Sequence, residues 1–133
     1  MKYLGIDYGT RKIGLALGES VSRTAMPLEV FVGGDDAVER ICALAQQEHI
    51  DAFVVGIPVP FHTGQPRTQF DRAQRFADAL ENMSRLPVYK IDEVFTSREA
   101  QRIQDEYGSR VPEDALAAMM LVQEYFDNHL SSS

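Results

Sequence analysis

Lys2-Tyr3-Leu4-Gly5-Ile6-Asp7 is followed at once by Tyr8-Gly9-Thr10-Arg11-Lys12 and then by Ile13-Gly14-Leu15-Ala16-Leu17-Gly18. Two short apolar runs flank a turn rich in glycine and polar residues, the pattern of a strand, a tight turn and a returning strand. A glycine-rich β-hairpin therefore opens the chain. A third strand is expected over Met26-Pro27-Leu28-Glu29-Val30-Phe31-Val32, with Gly33-Gly34 ending it. Pro27 lacks the N–H that a central ladder needs, which places this strand at a sheet edge or delays its start.

Beyond the hairpin the period changes. Val38, Ile41, Leu44 and Ala45 recur at helical spacing, so a helix capped by Asp35 or Asp36 is expected to run to about His49. Ala52-Phe53-Val54-Val55-Gly56 is apolar throughout, as in a strand covered on both faces. Pro58, Pro60, Gly64 and Pro66 make residues 57–68 a loop, after which Phe70, Ala73, Phe76, Ala77, Leu80 and Met83 mark an amphipathic helix. Pro87-Val88-Tyr89-Lys90-Ile91 is the next strand. Thr96 and Glu99 stand in a capping-box relation ahead of a short helix ending near Gly108. Pro112 at the first helical position, with Glu113 and Asp114 in the first turn, opens a last helix through Leu130. The order β-β-β-α-β-α-β-α-α predicts an α/β fold. Its five-stranded mixed sheet combines antiparallel hairpin strands with parallel strands and carries helices on both faces, as one domain over residues 1–133.

The composition, 44% hydrophobic and 25% charged, is that of a globular chain and excludes disorder and collagen-like repeats. Thirteen Lys plus Arg against twenty Asp plus Glu give a net charge of −7, so any contact with a polyanion has to rest on a local basic surface. Cys42 is the one cysteine, which rules out an internal disulfide and a zinc site of paired thiolates, and a cytoplasmic location is expected. The most apolar uncharged run, residues 52–61, is too short to span a bilayer, and Asp7 breaks the N-terminal apolar stretch that a signal peptide would need. No membrane association is expected.

In open α/β sheets the working crevice lies beyond the carboxyl ends of the strands. The first strand ends at Asp7, the fourth near Gly56-Ile57-Pro58 and the fifth at Asp92-Glu93, while Asp114 opens the last helix. If the first, fourth and fifth strands are parallel neighbours, these carboxylates converge. Acids so placed repel one another unless a cation lies between them, and a hard divalent ion such as Mg²⁺ takes oxygen ligands of this kind. Two such ions can activate water and stabilise a leaving oxygen in phosphodiester hydrolysis. Each acid also has an ordinary structural reading: turn residue for Asp7, solvated strand end for Asp92 and Glu93, dipole partner for Glu113 and Asp114.

Taken in order, Gly5-Ile6-Asp7-Tyr8-Gly9-Thr10-Arg11-Lys12-Ile13-Gly14-Leu15-Ala16, Val55-Gly56-Ile57-Pro58, Asp92-Glu93 with Thr96-Ser97-Arg98-Glu99-Ala100, and Asp114-Ala115-Leu116-Ala117-Ala118 resemble the YqgF/RuvX proteins. These are resolvase-like nucleases that trim pre-16S rRNA and belong to the RNase H-like superfamily. The resemblance implies a ribonuclease H-like fold and Mg²⁺- or Mn²⁺-dependent hydrolysis of nucleic-acid phosphodiesters. It matches Asp7, Glu93 and Asp114 to the family's acidic triad, as catalytic and metal-holding groups. Pre-16S rRNA or another structured RNA is the implied substrate, with branched DNA beside it, and the chain is expected to act as a monomer or homodimer. This sequence departs from the family pattern at Val94, where the family usually carries Arg. It departs again over Val59-Pro60-Phe61-His62-Thr63-Gly64, where the family tends to carry Asn and Asp-Gly. Arg11, Lys12, Arg67 and Arg98 are the candidate substrate-binding cations that would make a basic rim. A contrasting expectation, favoured by Val94 and the charge of −7, is a catalytically weak nucleic-acid-binding or ribosome-assembly module of the same fold.

Overall fold

The computed structural model describes residues 1–58, 67–93, 97–108 and 110–130. Its elements are β1 (Lys2–Asp7), β2 (Lys12–Glu19), β3 (Thr24–Val32), α1 (Ala37–Gln47), β4 (Ala52–Pro58), α2 (Arg67–Ser84), β5 (Val88–Glu93), α3 (Ser97–Tyr107) and α4 (Glu113–His129). The five strands form one sheet in the order β3-β2-β1-β4-β5. The hairpin gives antiparallel β1–β2 and β2–β3 pairs, and the helical crossovers bring β4 parallel to β1 and β5 parallel to β4. The expected mixed sheet is thus present, with β1, β4 and β5 as parallel neighbours.

Side chains alternate across each strand, so the sheet has two different faces. Leu4, Ile6, Ile13, Leu15, Phe53, Val55 and Ile57 point towards α1 and α2 and pack with Ile41, Ala45, Phe76 and Leu80. Full burial of each such large side chain contributes about 1.5–3 kcal/mol. On the other face Tyr3, Ala52, Val54 and Ile91 meet Leu121, Val122, Tyr125 and Phe126 of α4, and Ala16 meets Leu116, Ala118 and Met119. Helix α3 adds Ile103 to that layer.

Several boundaries differ from the sequence reading, each for a local reason. Strand β3 starts at Thr24, so Pro27 lies inside it; β3 is outermost, and the register steps from Leu15↔Glu29 to Ala16↔Pro27, leaving Leu28 as a bulge that absorbs the proline. Helix α1 stops at Gln47 and His49 has a positive φ of 57°. Asp36 caps it in position only, because its carboxylate turns to Arg40 Nε at 3.3 Å. Strand β4 continues through Ile57 and Pro58, and β5 through Asp92 and Glu93. Pro112 is the extended cap residue (φ −59°, ψ 136°) and Glu113 is the first helical position. Gly108 ends α3 at φ 87°, the left-handed conformation that glycine takes most readily. Thr96, the expected cap of α3, lies outside the described residues. Among the described residues no helix is long and apolar enough to cross a membrane.

Candidate active site

Asp7 is the last residue of β1 and lies in register with Gly14 of β2 on one side and Gly56 of β4 on the other. It shares the α4 side of the sheet with Tyr3 and Gly5, two and four residues before it. Glu93 is the last residue of β5, in register with Pro58, and follows Ile91 on the same side. Two parallel crossovers therefore deliver two carboxyls to the same end and the same face of the sheet.

The third comes from α4, and glycines let it approach. A Cβ on Gly14 would overlap the backbone carbonyl of Asp114, and one on Gly5 would stand 2.8 Å from the Ala118 carbonyl oxygen. With hydrogen in place of a side chain at both positions, the first turns of α4 lie at backbone contact with the sheet. Asp114 and Glu113 are thereby carried over the end of β1.

The electrostatics register the convergence. Burial pushes the Asp7 carboxyl well above the usual carboxylate range, and the charge of Glu93, a hydrogen bond to Glu93 and the charges of Asp114 and Glu113 push in the same direction. Glu93 is also raised, first by burial and then by Asp114, while its hydrogen bond with Asp7 draws it down. Burial and the neighbouring acids thus push both carboxyls in the same net direction, Asp7 further than Glu93. Asp92, open as an alternative to Glu93 in the sequence, is exposed and interacts instead with Glu124 of α4.

Among the described residues no three His, Cys, Asp or Glu side chains stand close enough to hold one metal ion. The donor set nonetheless suits a hard divalent cation. It consists of carboxylate oxygens alone, and their mutual repulsion is the energy that a cation relieves.

The expected basic residues divide. Arg11 and Lys12 are exposed in and just after the β1–β2 turn, at the sheet end that carries Asp7, and the turn is pinned by the Gly33 N–H donating to the Arg11 carbonyl at 2.8 Å. Arg67 is the first residue of α2 rather than a loop residue, and its guanidinium lies 5.8 Å over the Phe70 ring one turn on. Arg98 is in the first turn of α3, with its side chain outside the described residues. Val94 and residues 59–64, where the sequence leaves the family pattern, also lie outside them. Gly14 was not singled out for the site by its sequence, although a glycine within a strand signals close approach by another backbone.

A family described as RuvX: Holliday junction resolvase matches residues 1–128. A Bordetella pertussis protein described as "Putative pre-16S rRNA nuclease" is 36% identical over 126 residues, covering 93% of this chain and 92% of that protein. A Pseudomonas aeruginosa PAO1 protein with the same description is 37% identical over 134 residues, covering 95% and 92%. Among solved structures, Thermus thermophilus RuvC in complex with a Holliday junction substrate superposes with a TM-score of 0.60 at 18% identity, over 95% of this chain and 93% of that one. The Fowlpox virus resolvase in complex with Holliday junction DNA gives 0.62 at 12% identity, over 98% and 100%. These two share the fold, which is ribonuclease H-like. The match over residues 1–128 places this chain in the RuvX family.

Proposed function

We propose that this chain cuts structured RNA of the pre-16S rRNA kind, as a Mg²⁺- or Mn²⁺-dependent nuclease whose catalytic and metal-holding groups are Asp7, Glu93 and Asp114. As a RuvX-family member it is a hydrolase of nucleic-acid phosphodiester bonds. One observation carries the assignment to residues: the carboxyls of Asp7 and Glu93 meet at the carboxyl end of β1, where burial and the charge of Asp114 raise both.

Asp7, Glu93 and Asp114 would hold the cation, which when bound supplies a lowered pKa to water and counter-charge to the phosphate oxygens. The remaining work belongs to the chain. The packing of α4 leaves Asp7 and Glu93 half-buried, which strengthens charge interactions there relative to open water. Arg11 and Lys12 draw a phosphate backbone to the sheet end in spite of the overall negative charge, with Arg67 and Arg98 extending that contact. Residues 1–133 would act as one unit in the cytoplasm, where ribosomal precursors are processed.

Branched DNA is the second substrate, favoured by the family's description as a junction resolvase. Cutting opposed strands of a junction calls for two active sites and hence a homodimer, whereas trimming RNA calls for one. The test is cleavage of labelled precursor-like RNA, single-stranded RNA and a synthetic four-way junction in Mg²⁺, Mn²⁺ or EDTA, by wild type and Asp7→Asn, with the mass in solution measured alongside. Metal-dependent cutting that Asp7→Asn abolishes supports the reading, and the substrate cut names the class. Binding without turnover under every metal would instead make the chain a binding or assembly module.

A further inference from the structure

Tyr8 follows Asp7 and packs on the α1–α2 side of the sheet. There the β1–β2 turn, the β3–α1 turn and α2 enclose a cleft of about 300 Å³, lined by Tyr8, Thr10, Gly33, Arg72, Arg75 and Phe76 among others. Its floor is rigid, because the Tyr8 ring stacks on Phe76 with centroids 4.4 Å apart and the two turns are joined by the Gly33–Arg11 hydrogen bond. Its wall is cationic. Arg72 and Arg75 are exposed and sit three residues apart on one strip of α2. Among the described residues neither forms an ion pair, and Arg75 Nε reaches only the Asp71 carbonyl at 3.4 Å. Asp36, beside the β3–α1 turn, is engaged by Arg40. In a chain with seven net negative charges, two uncompensated guanidinium groups at one cleft mark a place for an anion.

We infer that this cleft is a subsite for the substrate strand, in which Arg72 and Arg75 hold a backbone phosphate one or more nucleotides from the bond that is cut. The inference rests on the reading of the chain as a nuclease and adds where the strand runs. Consecutive Cα atoms are about 3.8 Å apart, so a strand presenting a phosphodiester at Asp7 has only to cross the end of β1 to reach the cleft. A volume at the lower end of ligand pockets accepts a single nucleotide and not a duplex. The Tyr8–Phe76 pair gives the sugar or base an apolar wall, while the arginines fix register and carry no base preference.

The experiment measures binding of a labelled single-stranded RNA oligonucleotide in EDTA across a salt series, for wild type, Arg72→Gln/Arg75→Gln and Arg85→Gln. Arg85 is an exposed cation just past the far end of α2, about 20 Å along the helix from Arg72, and serves as the control for charge alone. The double variant is expected to bind about 10-fold or more weakly, with a log–log salt slope shallower by about 0.7 for one lost single-strand phosphate contact. Arg85→Gln should match wild type, and all three should melt at the same temperature. Wild-type binding by the double variant, or equal weakening by Arg85→Gln, overturns the subsite. So does inorganic phosphate displacing the strand at concentrations where chloride of the same ionic strength does not, which would make the cleft a free-anion site. If wild type cuts nothing while the double variant still loses binding, the nuclease reading fails and the subsite stands; if cutting persists with unchanged binding and cut positions, the reverse holds.

Discussion

The two faces of the sheet are built on opposite principles. Towards α1 and α2 the strands present Leu4, Ile6, Ile13, Leu15, Phe53 and Val55, all fully buried, and helices stand off far enough to be filled by large side chains. Towards α4 the same strands present glycine and alanine at several positions, and the helix backbone comes down to the sheet at Gly5 and Gly14. One face maximises apolar area, which stabilises the fold. The other gives up area for proximity, and proximity sets the acidic first turn of α4 over Asp7. The molecule thereby separates what holds it together from what positions its chemistry, a division that substitutions on either side should expose.

The largest effect is expected at the acids. Asp7→Asn should reduce metal-dependent cleavage by about 10⁴-fold, near 5 kcal/mol of transition-state stabilisation, with the protein still folded. Single-turnover cleavage checks this, and activity within 10-fold of wild type would remove Asp7 from the mechanism. Next is Phe53→Ala, on the area-maximising face, which should cost about 3–5 kcal/mol in urea unfolding while leaving the cleavage rate of the folded fraction within a few-fold. A rate loss matching the Asp7→Asn value would break the separation between faces. Third is Gly14→Val, whose side chain meets the Asp114 backbone carbonyl. Displacing α4 by about 1 Å should lower the rate about 10²-fold, with a smaller stability loss of about 1–3 kcal/mol. A stability loss without a rate loss would show that the close approach matters only for packing.

The hairpin and the element order were legible because local chemistry dictates them: a Gly-Thr turn between apolar runs, a continuous apolar β4, and helical periods in α1, α2 and α4. Asp7 and Asp114 were legible as candidates for the same reason, one ending a strand and the other opening a helix. Glu93 rather than Asp92 came from the family resemblance alone, because spacing cannot give the register of β5 against β4, a long-range pairing that sets which residue joins the α4 side. Arg67 was misplaced because the prolines before it read as loop, whereas the helix already starts there. Pro112 was misplaced by one position, within the usual ambiguity of helix ends. Arg72 and Arg75 look in sequence like ordinary solvated helix residues, and only the fold puts the two turns opposite them.

The smallest effect is the most direct test of whether the acids meet in solution. Asp7 has its pKa raised in the folded protein by burial and by Glu93, and Glu93 by burial and by Asp114. At pH below the ordinary carboxylate range both folded and unfolded chains are protonated, so the pair contributes nothing. As pH rises from that range towards the raised values, the unfolded chain releases protons that the folded chain retains, so stability must fall, and the full penalty is reached above the folded pKa values. Asp7→Asn removes both the titration and the repulsion. In EDTA the variant should therefore equal wild type in acid and exceed it at neutral pH by about 1–2 kcal/mol, a shift of a few degrees in Tm. Adding Mg²⁺ or Mn²⁺ should raise the wild-type Tm at neutral pH and narrow the gap, because a ligand of the folded state stabilises it by mass action. Identical melting of the two proteins at every pH would mean that the carboxyls do not converge. A stability gain without lost cleavage would mean that they converge but do not serve the reaction.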